Sequence, residues 1–362
     1  MMKYIEEFRD KDLIMKLIRQ IRSVVRGKYA FMEVCGGHTS AIHRFGIPSL
    51  LPENINLVSG PGCPVCVTGT DFIDMAVAIA CLDNVIIATF GDLMRIPGSY
   101  SSLEKEKAKG ADIRIVFSGL DALDIARENP GKKVVFPGIG FETTAPATAV
   151  TVRQARNEML RNFLVLSAHK LMPPVMEAVV NDGVRLDGFI CPGHVAAVTG
   201  SCIFNFLPEK HRIGCVIAGF EPTDILQSIL MLVSQVNRKS PSVEIAYTRA
   251  VTTAGNKVAL KIMSEVFEPA ETIWRGFGKI AGSGLKLREE FAEFDAERSF
   301  GIRIEPGIEN PSCICAGILR GFRNPGECSL FGTGCTPDNP VGACMVSPEG
   351  ACNSFYRYSA YE

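Results

Sequence analysis

Short apolar runs that each lead into a turn or a helix-like segment constrain the fold of this chain more than any other feature. They span residues 85–90, 113–117, 134–136, 163–166, 188–190 and 215–218. β-Branched and aromatic residues are common in the runs, and glycine, histidine or acidic residues are common in the segments directly after them. This alternation is typical of parallel α/β proteins, which bind ligands at the carboxyl ends of their strands. The sequence therefore predicts an α/β fold with its functional residues at those ends.

An internal repeat and the length of the chain predict several domains. Residues 35–42 resemble residues 191–198, and Leu51–Glu53 recurs as Leu207–Glu209, both at an offset of 156. We therefore expect two related parallel-sheet α/β domains around a cleft. The expected units are an N-terminal region at 1–26 with an amphipathic helix over 9–26, α/β domains at 27–130 and 131–235, and a turn-rich C-terminal domain at 236–362 ordered partly by metal.

The charge balance and the cysteine content limit the classes of function. The chain has 38 basic and 39 acidic residues, which gives no electrostatic reason to expect a nucleic-acid partner or an anionic membrane surface. No apolar run reaches the roughly 18 residues of a membrane span, and the N-terminal stretch lacks a signal-type apolar segment. We expect a cytoplasmic protein, in which 13 cysteines indicate metal or redox chemistry rather than a disulfide scaffold.

Gly60–Cys66, with the sequence GPGCPVC, contains a Cys-x-x-Cys pair on a turn that is rich in glycine and proline. Such a pair can form a disulfide, share a metal ion or exchange with another thiol. The alternatives are half of a structural zinc site or two buried thiols. We expect the glycines and prolines to enforce a tight, exposed turn, which favours a redox or ligand role for Cys63 and Cys66.

Cys35–Thr39, with the sequence CGGHT, follows an apolar segment that predicts a strand. The two glycines after Cys35 allow the backbone to approach a ligand closely, and His38 could protonate a group bound to sulfur or bind metal itself. A thiolate beside an imidazole suits iron better than magnesium or calcium. The alternative is an ordinary loop with a hydrogen-bonded histidine.

Two further motifs predict anion binding. Gly138–Pro146 is a glycine-rich turn that opens a helix, where backbone N–H groups could hold an anion oriented by Glu142, Thr143 and Thr144. It is not a dinucleotide fingerprint, because Thr143 stands where the third glycine is required. The CPGH motif repeats the first thiol motif, and its His194 is expected to face the cleft; an ordinary loop histidine is the alternative.

Six cysteines crowd a glycine- and proline-rich stretch near the C-terminus: Cys313, Cys315, Cys328, Cys335, Cys344 and Cys352. Their spacing lacks the C-x2-C-x2-C run of a bacterial ferredoxin and the paired C-x2-C knuckles of a zinc ribbon. Four of the six thiolates could surround a [4Fe–4S] cluster, and the spacing does not select which four.

Together the motifs resemble those of the HypD family of [NiFe]-hydrogenase maturation proteins. The resemblance rests on CGGHT, GPGCPVC, the segment Phe90–Gly98, GFETT, PGHV, AGFEP and the final EGAC, and it covers nearly the whole chain. It implies two similar α/β domains around a cleft and a C-terminal domain with a [4Fe–4S] cluster. It also implies a scaffold on which the Fe(CN)2CO unit is assembled, in complex with a small HypC-type chaperone and with cyanide delivered by a HypE-type partner.

The resemblance also implies roles for individual residues. Cys35 would hold the iron, with His38 beside it, and Cys63 and Cys66 would relay electrons between the cleft and the cluster. The implied cluster ligands are Cys315, Cys328, Cys335 and Cys352, which leaves Cys313 and Cys344 over. Some relatives have a further cysteine where this chain has Phe322–Arg323. Because this chain lacks that cysteine, Cys313 is the expected substitute among the cluster ligands.

Two alternative functions predict different behaviour. A thiol–disulfide reductase fed by a cluster would reduce a protein disulfide through Cys63 and Cys66 and would not need Cys35. A pure assembly scaffold would only hold metal and partners, and it would tolerate serine at both positions of the dithiol. An iron scaffold with redox activity is the interpretation that uses all three groups of cysteines.

Overall fold

Two parallel β-sheets form the frame of the computed structural model, which describes residues 6–358. The first sheet has the strand order β2-β1-β7-β8-β9 and the second has the order β4-β3-β5-β6. The strands are β1 Tyr29–Glu33, β2 Ile55–Ser59, β3 Val85–Thr89, β4 Ile113–Ile115, β5 Lys133–Gly140, β6 Phe163–His169, β7 Gly188–Pro192, β8 Gly214–Ala218 and β9 Val243–Ile245. The prediction of parallel α/β architecture is confirmed.

The chain passes from the first sheet to the second and back again. It enters the first sheet with β1 and β2, forms the second sheet with β3 to β6, and returns with β7 to β9. The expected ranges 27–130 and 131–235 do not correspond to the sheets, because each range contributes strands to both. The reason is that the repeated motifs follow β1 and β7, which are paired neighbours in one sheet, with Phe31 opposite Gly188. The repeat therefore marks two units of one sheet.

Helices connect the strands and cover the sheets. The first helix, α1, was expected over 9–26 and runs over Lys11–Val24; residues 1–5 of the expected N-terminal region lie outside the described residues. Its apolar stripe is buried against the long helix α11, and Asp10 caps its first turn by accepting from the backbone N–H of Leu13. The others are α2 Gly36–Arg44, α3 Ile47–Leu50, α4 Pro64–Val67, α5 Thr70–Ala80, α6 Leu103–Ala108, α7 Gly119–Glu128, α8 Ala145–Asn157, α9 Met172–Asn181, α10 Gly193–Thr199, α11 Pro222–Arg238, α12 Lys257–Val266, α13 Ala296–Phe300, α14 Cys315–Leu319 and α15 Ala351–Tyr358.

Short helical turns complete the connections. Single 3-10 turns lie at Glu6–Arg9, Gly91–Arg95, Cys202–Phe204, Glu289–Phe294, Pro325–Glu327 and Ala343–Met345, and a π turn lies at Leu207–His211. Within residues 6–358, no helix is both long enough and apolar enough to cross a membrane.

One apolar core joins the two sheets. It contains Met32 and Phe189 from the first sheet, Leu164 and Leu166 from the second, and several of the C-terminal cysteines. The strands are rich in Val, Ile and Phe and are largely buried on both faces, as parallel strands covered by helices usually are. The two sheets contact each other through this core, so packed side chains occupy the place where a cleft between two halves was expected.

A hairpin and a segment of irregular structure follow the sheets. Strands β10 Phe267–Trp274 and β11 Gly278–Leu287 pair antiparallel, and the hairpin packs on β6, where the Ser167 hydroxyl donates to the Leu285 carbonyl over 2.8 Å. Strand β9 and this hairpin both fall in the expected unit 236–362, although each packs on one of the sheets. The turn-rich character expected of that unit is found from about residue 301 onward, and residues 359–362 lie outside the described part of the chain.

Leu232 on α11 tests the packing of the first sheet. It is fully buried, and a Cβ added at Gly188 of β7 would lie 2.8 Å from its Cδ2 atom. Leu232→Ala should lower the free energy of unfolding by about 2–5 kcal/mol, because it leaves a cavity in a close-packed core. Leu13→Ala on α1 is the control, since Leu13 is 40% exposed. Equal losses in chemical denaturation of the two variants would contradict this packing.

Candidate thiol and metal site

The carboxyl edge of the first sheet gathers motifs that are far apart in the sequence. Cys35 follows β1, Gly60–Cys66 follows β2, His194 follows β7 and Phe220 follows β8. These four strands are parallel neighbours, so their carboxyl ends meet at one edge. The prediction that the motifs lie just after strands is confirmed for these residues.

Gly62 brings the dithiol turn into contact with the backbone of Cys35. The Gly36 N–H donates to the Gly62 carbonyl over 3.0 Å. A Cβ at Gly62 would lie 2.1 Å from the Cys35 nitrogen and 2.3 Å from its Cα, so only glycine fits this crossing. The Cys63–Cys66 pair begins at the next residue, and its second cysteine lies within α4.

Cys35 is a partly buried thiol at the start of α2. Burial raises its pKa to about 12, the charges of Glu349 and Glu33 add to this, and N–H groups of Gly37 and His38 that point at the sulfur act in the opposite direction. The thiol is therefore protonated at neutral pH when nothing is bound to it. A metal cation would replace the proton, because a coordinating thiol is deprotonated outright.

Two carboxyl groups lie near this thiol, one close in sequence and one from near the C-terminus. Glu33 accepts from the Cys35 N–H over 3.1 Å and from the Thr39 hydroxyl over 2.6 Å, and burial raises its pKa to about 8. Glu349 covers Gly36, where an added Cβ would lie 2.9 Å from the Glu349 Oε2 atom. Glu349 was not predicted as a site residue, although it belongs to the final EGAC motif. A site of one thiol and two carboxyl groups can compensate the charge of a cation.

Two histidines stack on one phenylalanine at this edge. The ring centroids of His38 and His194 lie 4.6 Å and 4.0 Å from that of Phe220. The Nε2 atom of His38 is 2.9 Å from the Gly219 carbonyl and therefore carries the hydrogen, while its buried Nδ1 atom has no protein partner. Burial lowers the pKa of His38 to about 4, so it is neutral at pH 7 and offers a lone pair.

A cavity of about 600 Å³ opens beside these rings. It is lined by Phe220, Glu221, Tyr247, Arg249 and Ala250. Arg249 is held in place by a two-point ion pair with Asp224, with N–O distances of 2.6 Å and 2.7 Å. Phe220 was not predicted as a site residue. Its position in the AGFEP motif, directly after a strand, is the sequence signal that could have identified it.

The dithiol begins at this edge and is buried in the interior of the protein. Cys63 and Cys66 are 4% and 1% exposed, so the exposed turn expected from the sequence is buried instead. Residues on either side of Cys344 cover it: the Cys66 thiol donates to the Ala343 carbonyl over 3.9 Å, and a Cβ added at Gly350 would lie 3.0 Å from the Cys66 sulfur. Burial raises the pKa of Cys66 well above its usual value, and its thiol makes hydrogen-bonding contacts with Cys344 and Cys63.

The C-terminal thiols form a cluster next to Cys66. Cys344 contacts Cys66, Cys315 and Cys352, and Cys315 also contacts Cys313. The sulfur of Cys335 accepts from the Val341 N–H over 3.3 Å, and its charge interacts with those of Cys315 and Cys313. Cys328 is not among the thiols joined by these contacts. Cys344 was not among the cluster ligands implied by the resemblance. In the structure it lies between the dithiol and the other thiols.

The thiol cluster fits an iron–sulfur cluster in its chemistry, because such clusters are held by cysteine thiolates. Gly342 faces the sulfur atoms, and an added Cβ there would lie 2.5 Å and 2.6 Å from those of Cys313 and Cys315. No group of three or more His, Cys, Asp or Glu side chains in residues 6–358 is arranged to hold a single metal ion. A cubane cluster binds each of its thiolates at a different iron atom, so its ligands need not converge on one point.

The GFETT motif lies apart from these residues, at the carboxyl edge of the second sheet. Glu142 is buried, and its Oε1 atom accepts from the Met172 N–H over 2.9 Å while its Oε2 atom has no protein partner. Thr143 is exposed, and the Thr144 hydroxyl contacts backbone carbonyls of its own turn. The expected binding of an anion by these three residues remains a prediction.

The fold and the site define a parallel α/β protein whose thiols run from one sheet edge into a C-terminal cysteine cluster. The family model for HypD, described as "Hydrogenase formation hypA family", matches residues 12–359. The hydrogenase maturation factor HypD of Azotobacter vinelandii is 47% identical over 99% of this chain and 97% of its own. Those of Cupriavidus necator and Rhodobacter capsulatus are 46% and 44% identical, over 100% and 99% of this chain and 98% of each relative. The chain belongs to the HypD family.

The crossing of Gly62 over Cys35 can be tested by adding one methyl group. Gly62→Ala should lower the free energy of unfolding by about 1–3 kcal/mol and speed the alkylation of Cys35, because the two backbones must separate. Gly27→Ala is the matched control, since a Cβ there would meet nothing within 4 Å. Unchanged stability and alkylation in Gly62→Ala would show that the crossing is not as close as described.

Glu142 gives a prediction about pH. Burial raises its pKa from 4.5 to about 7, so the folded protein binds this proton more tightly than the unfolded chain does. The resulting stabilisation is complete below pH 4.5 and is lost as the pH rises through 7. Relative to Glu142→Gln, the natural protein should lose roughly 3 kcal/mol of stability between pH 5 and pH 8. A difference between the two proteins that does not change with pH in urea denaturation would refute this.

Proposed function

We propose that this chain is an iron-binding redox scaffold for hydrogenase maturation, on which the Fe(CN)2CO unit is assembled in the cytoplasm. Three groups of cysteines carry the proposal. The backbone of Cys35 contacts the dithiol turn through Gly62, Cys66 contacts Cys344, and Cys344 contacts Cys315. A run of thiols from a partly exposed anchor to a buried cluster suits a protein that holds a metal and supplies it with electrons.

Cys35 is the proposed anchor for the iron that is being assembled. Cys35 is a partly exposed residue, and N–H groups at the start of α2 point at its sulfur. The carboxyl groups of Glu33 and Glu349 compensate the charge of a cation bound there. His38 is neutral and keeps a free Nδ1 lone pair, so it can accept a proton or bind metal but carries no competing positive charge.

Cys63 and Cys66 are the proposed source of electron pairs. Oxidation of the dithiol to a disulfide forms one S–S bond and releases two electrons and two protons. A resident [4Fe–4S] cluster would supply single electrons, with Cys315, Cys328, Cys335 and Cys352 as its proposed ligands. The contact of Cys344 with Cys66 supports electron transfer between the dithiol and that region.

The burial of the dithiol argues against a thiol–disulfide reductase. A protein disulfide must approach the attacking sulfur in line, and Cys66 is 1% exposed beneath Ala343 and Gly350. An electron route inside the molecule needs no such access. The dithiol is therefore better suited to exchange with a bound group at Cys35 than with another protein.

Partner proteins are the proposed source of the other components. The cavity beside Phe220 adjoins the Cys35 edge, because Gly37 lies against the Phe220 ring, and it is the proposed site for a segment of a small HypC-type chaperone. A HypE-type partner would deliver cyanide, which is an anion when bound to iron. His194 is the proposed contact for such a ligand, and Glu142, Thr143 and Thr144 are proposed to bind an anion at the second sheet.

The infrared spectrum tests this function. The protein purified without oxygen, together with its small partner, should show metal–cyanide and metal–carbonyl stretching bands. Cys35→Ala should lose these bands almost completely, because Cys35 is less buried than Cys63, Cys66 and Cys191, the other thiols near that edge. Cys202→Ala is the matched control, since Cys202 is an exposed thiol on a separate 3-10 turn.

The outcomes separate the alternatives. A blank spectrum from the natural protein with an intact cluster would contradict the scaffold and favour a reductase. Bands that persist in Cys35→Ala would contradict the anchor. Bands that persist in a Cys63→Ser, Cys66→Ser double variant that still matures hydrogenase would show that the dithiol has no redox role.

A further inference from the structure

The tip of the β10–β11 hairpin lies between the dithiol segment and the C-terminal thiols. The Arg275 N–H donates over 2.9 Å to the carbonyl of Val67, the last residue of α4. On the other side, a Cβ added at Gly276 would lie 2.9 Å from the Cα atom of Ala316, the residue after Cys315. Gly276 has a φ of +84°, which allows the close turn that packs the tip against α14.

The side chain of Arg275 is buried at this junction. It is 6% exposed, its Nε atom donates to the Thr68 carbonyl over 3.1 Å, and its Nη1 atom lies 3.3 Å from a carboxylate oxygen of Glu309. The Nη2 atom is buried and has no protein partner. A guanidinium has five N–H donors, and leaving those of one nitrogen unpaired in the interior costs free energy. The fold therefore implies an acceptor that the protein chain does not supply.

The surroundings of Arg275 limit what this acceptor can be. The Nη2 atom itself is buried, while Arg275 also lines a cavity of about 380 Å³ with Thr70, Glu309 and Val341. The charge of the guanidinium interacts with that of Cys313, which puts it close to the thiol cluster. Sulfur atoms of the cluster site are acceptors of the required kind, because they accept N–H hydrogen bonds when they carry negative charge.

We propose that Arg275 is a positioning residue for the iron–sulfur cluster, with Nη2 donating to a sulfur atom of the bound cluster and the guanidinium acting as its fixed counter-charge. This assignment rests on the proposed function, since it requires the cluster. Reduction adds one electron and one unit of negative charge at the site. A buried cation at a fixed distance stabilises that added charge, so Arg275 favours the reduced state.

Glu309 opposes this effect. Its carboxylate is the charge partner of Arg275, although its side chain is 40% exposed and therefore screened by solvent. Removal of Glu309 leaves the cation less compensated, whereas removal of Arg275 leaves the cluster without its counter-charge. The two substitutions therefore shift the reduction potential in opposite directions, which a general loosening of the domain would not do.

A redox titration of the full-length protein tests the assignment. The anaerobically purified protein is reduced stepwise with dithionite, and the reduced cluster is followed by electron paramagnetic resonance. Arg275→Gln should shift the potential to more negative values, with about a tenfold lower ratio of reduced to oxidised cluster at a fixed potential. Arg275→Lys should recover part of the shift, because it keeps the charge and loses the planar donor fork.

Two further variants keep the test decisive. Glu309→Gln should shift the potential to more positive values, and it still tests the role of Arg275 if Arg275→Gln does not fold. Lys279→Gln is the matched control on the same hairpin, because it removes one positive charge from a side chain that is 69% exposed. Its potential should equal that of the natural protein.

The failures of the two proposals are distinguishable. A natural protein that never holds a cluster overturns the proposed redox scaffold, and this assignment with it. A cluster whose potential is the same in the natural protein, Arg275→Gln and Glu309→Gln overturns the role of Arg275 alone. Shifts of the same sign in both variants overturn it as well, because they indicate structural loosening.

Discussion

The parallel pairing of β1 between β2 and β7 is the constraint on which the site depends. Because the three strands run in one direction, their carboxyl ends meet, and the segments after them bring Cys35, the dithiol turn and His194 to one edge. The crossing at Gly62 adds a steric condition, since a larger residue would push the dithiol turn away from Cys35. A backbone contact thus fixes two reactive groups whose side chains remain free for chemistry.

Burial gives the site its electrostatic character. His38 is kept neutral, the thiols of Cys35 and Cys66 are kept protonated, and Glu33 has a raised pKa. A bound metal cation would compensate the negative charge of the deprotonated thiols and of Glu33. Metal binding and proton release are therefore expected to be linked at this edge. The C-terminal segment contributes by covering the dithiol and by bringing Glu349 to the thiol anchor.

The fold class and the positions of the motifs were predictable because both depend on local patterns. Short β-branched runs predicted the parallel strands, and glycines after β1 and β2 predicted turns that approach a ligand. The two sheets do not follow the predicted domain ranges, because a repeat at a fixed offset does not reveal which strands pair. The repeat units lie side by side in one sheet, while the intervening strands form the other. The prediction of an exposed dithiol was wrong because residues near position 350 cover it.

The sequence by itself determined the chemistry available: a thiol–imidazole motif, a dithiol and a crowded set of C-terminal cysteines, all readable because spacing and residue type are local properties. The tertiary structure alone decided which of these groups meet. The link from Cys66 to Cys344, the approach of Glu349 to Cys35 and the insertion of Arg275 beside the thiols join residues that are hundreds of positions apart or lie on separate elements. Such contacts follow from strand order and side-chain packing across the whole chain, which no short segment encodes.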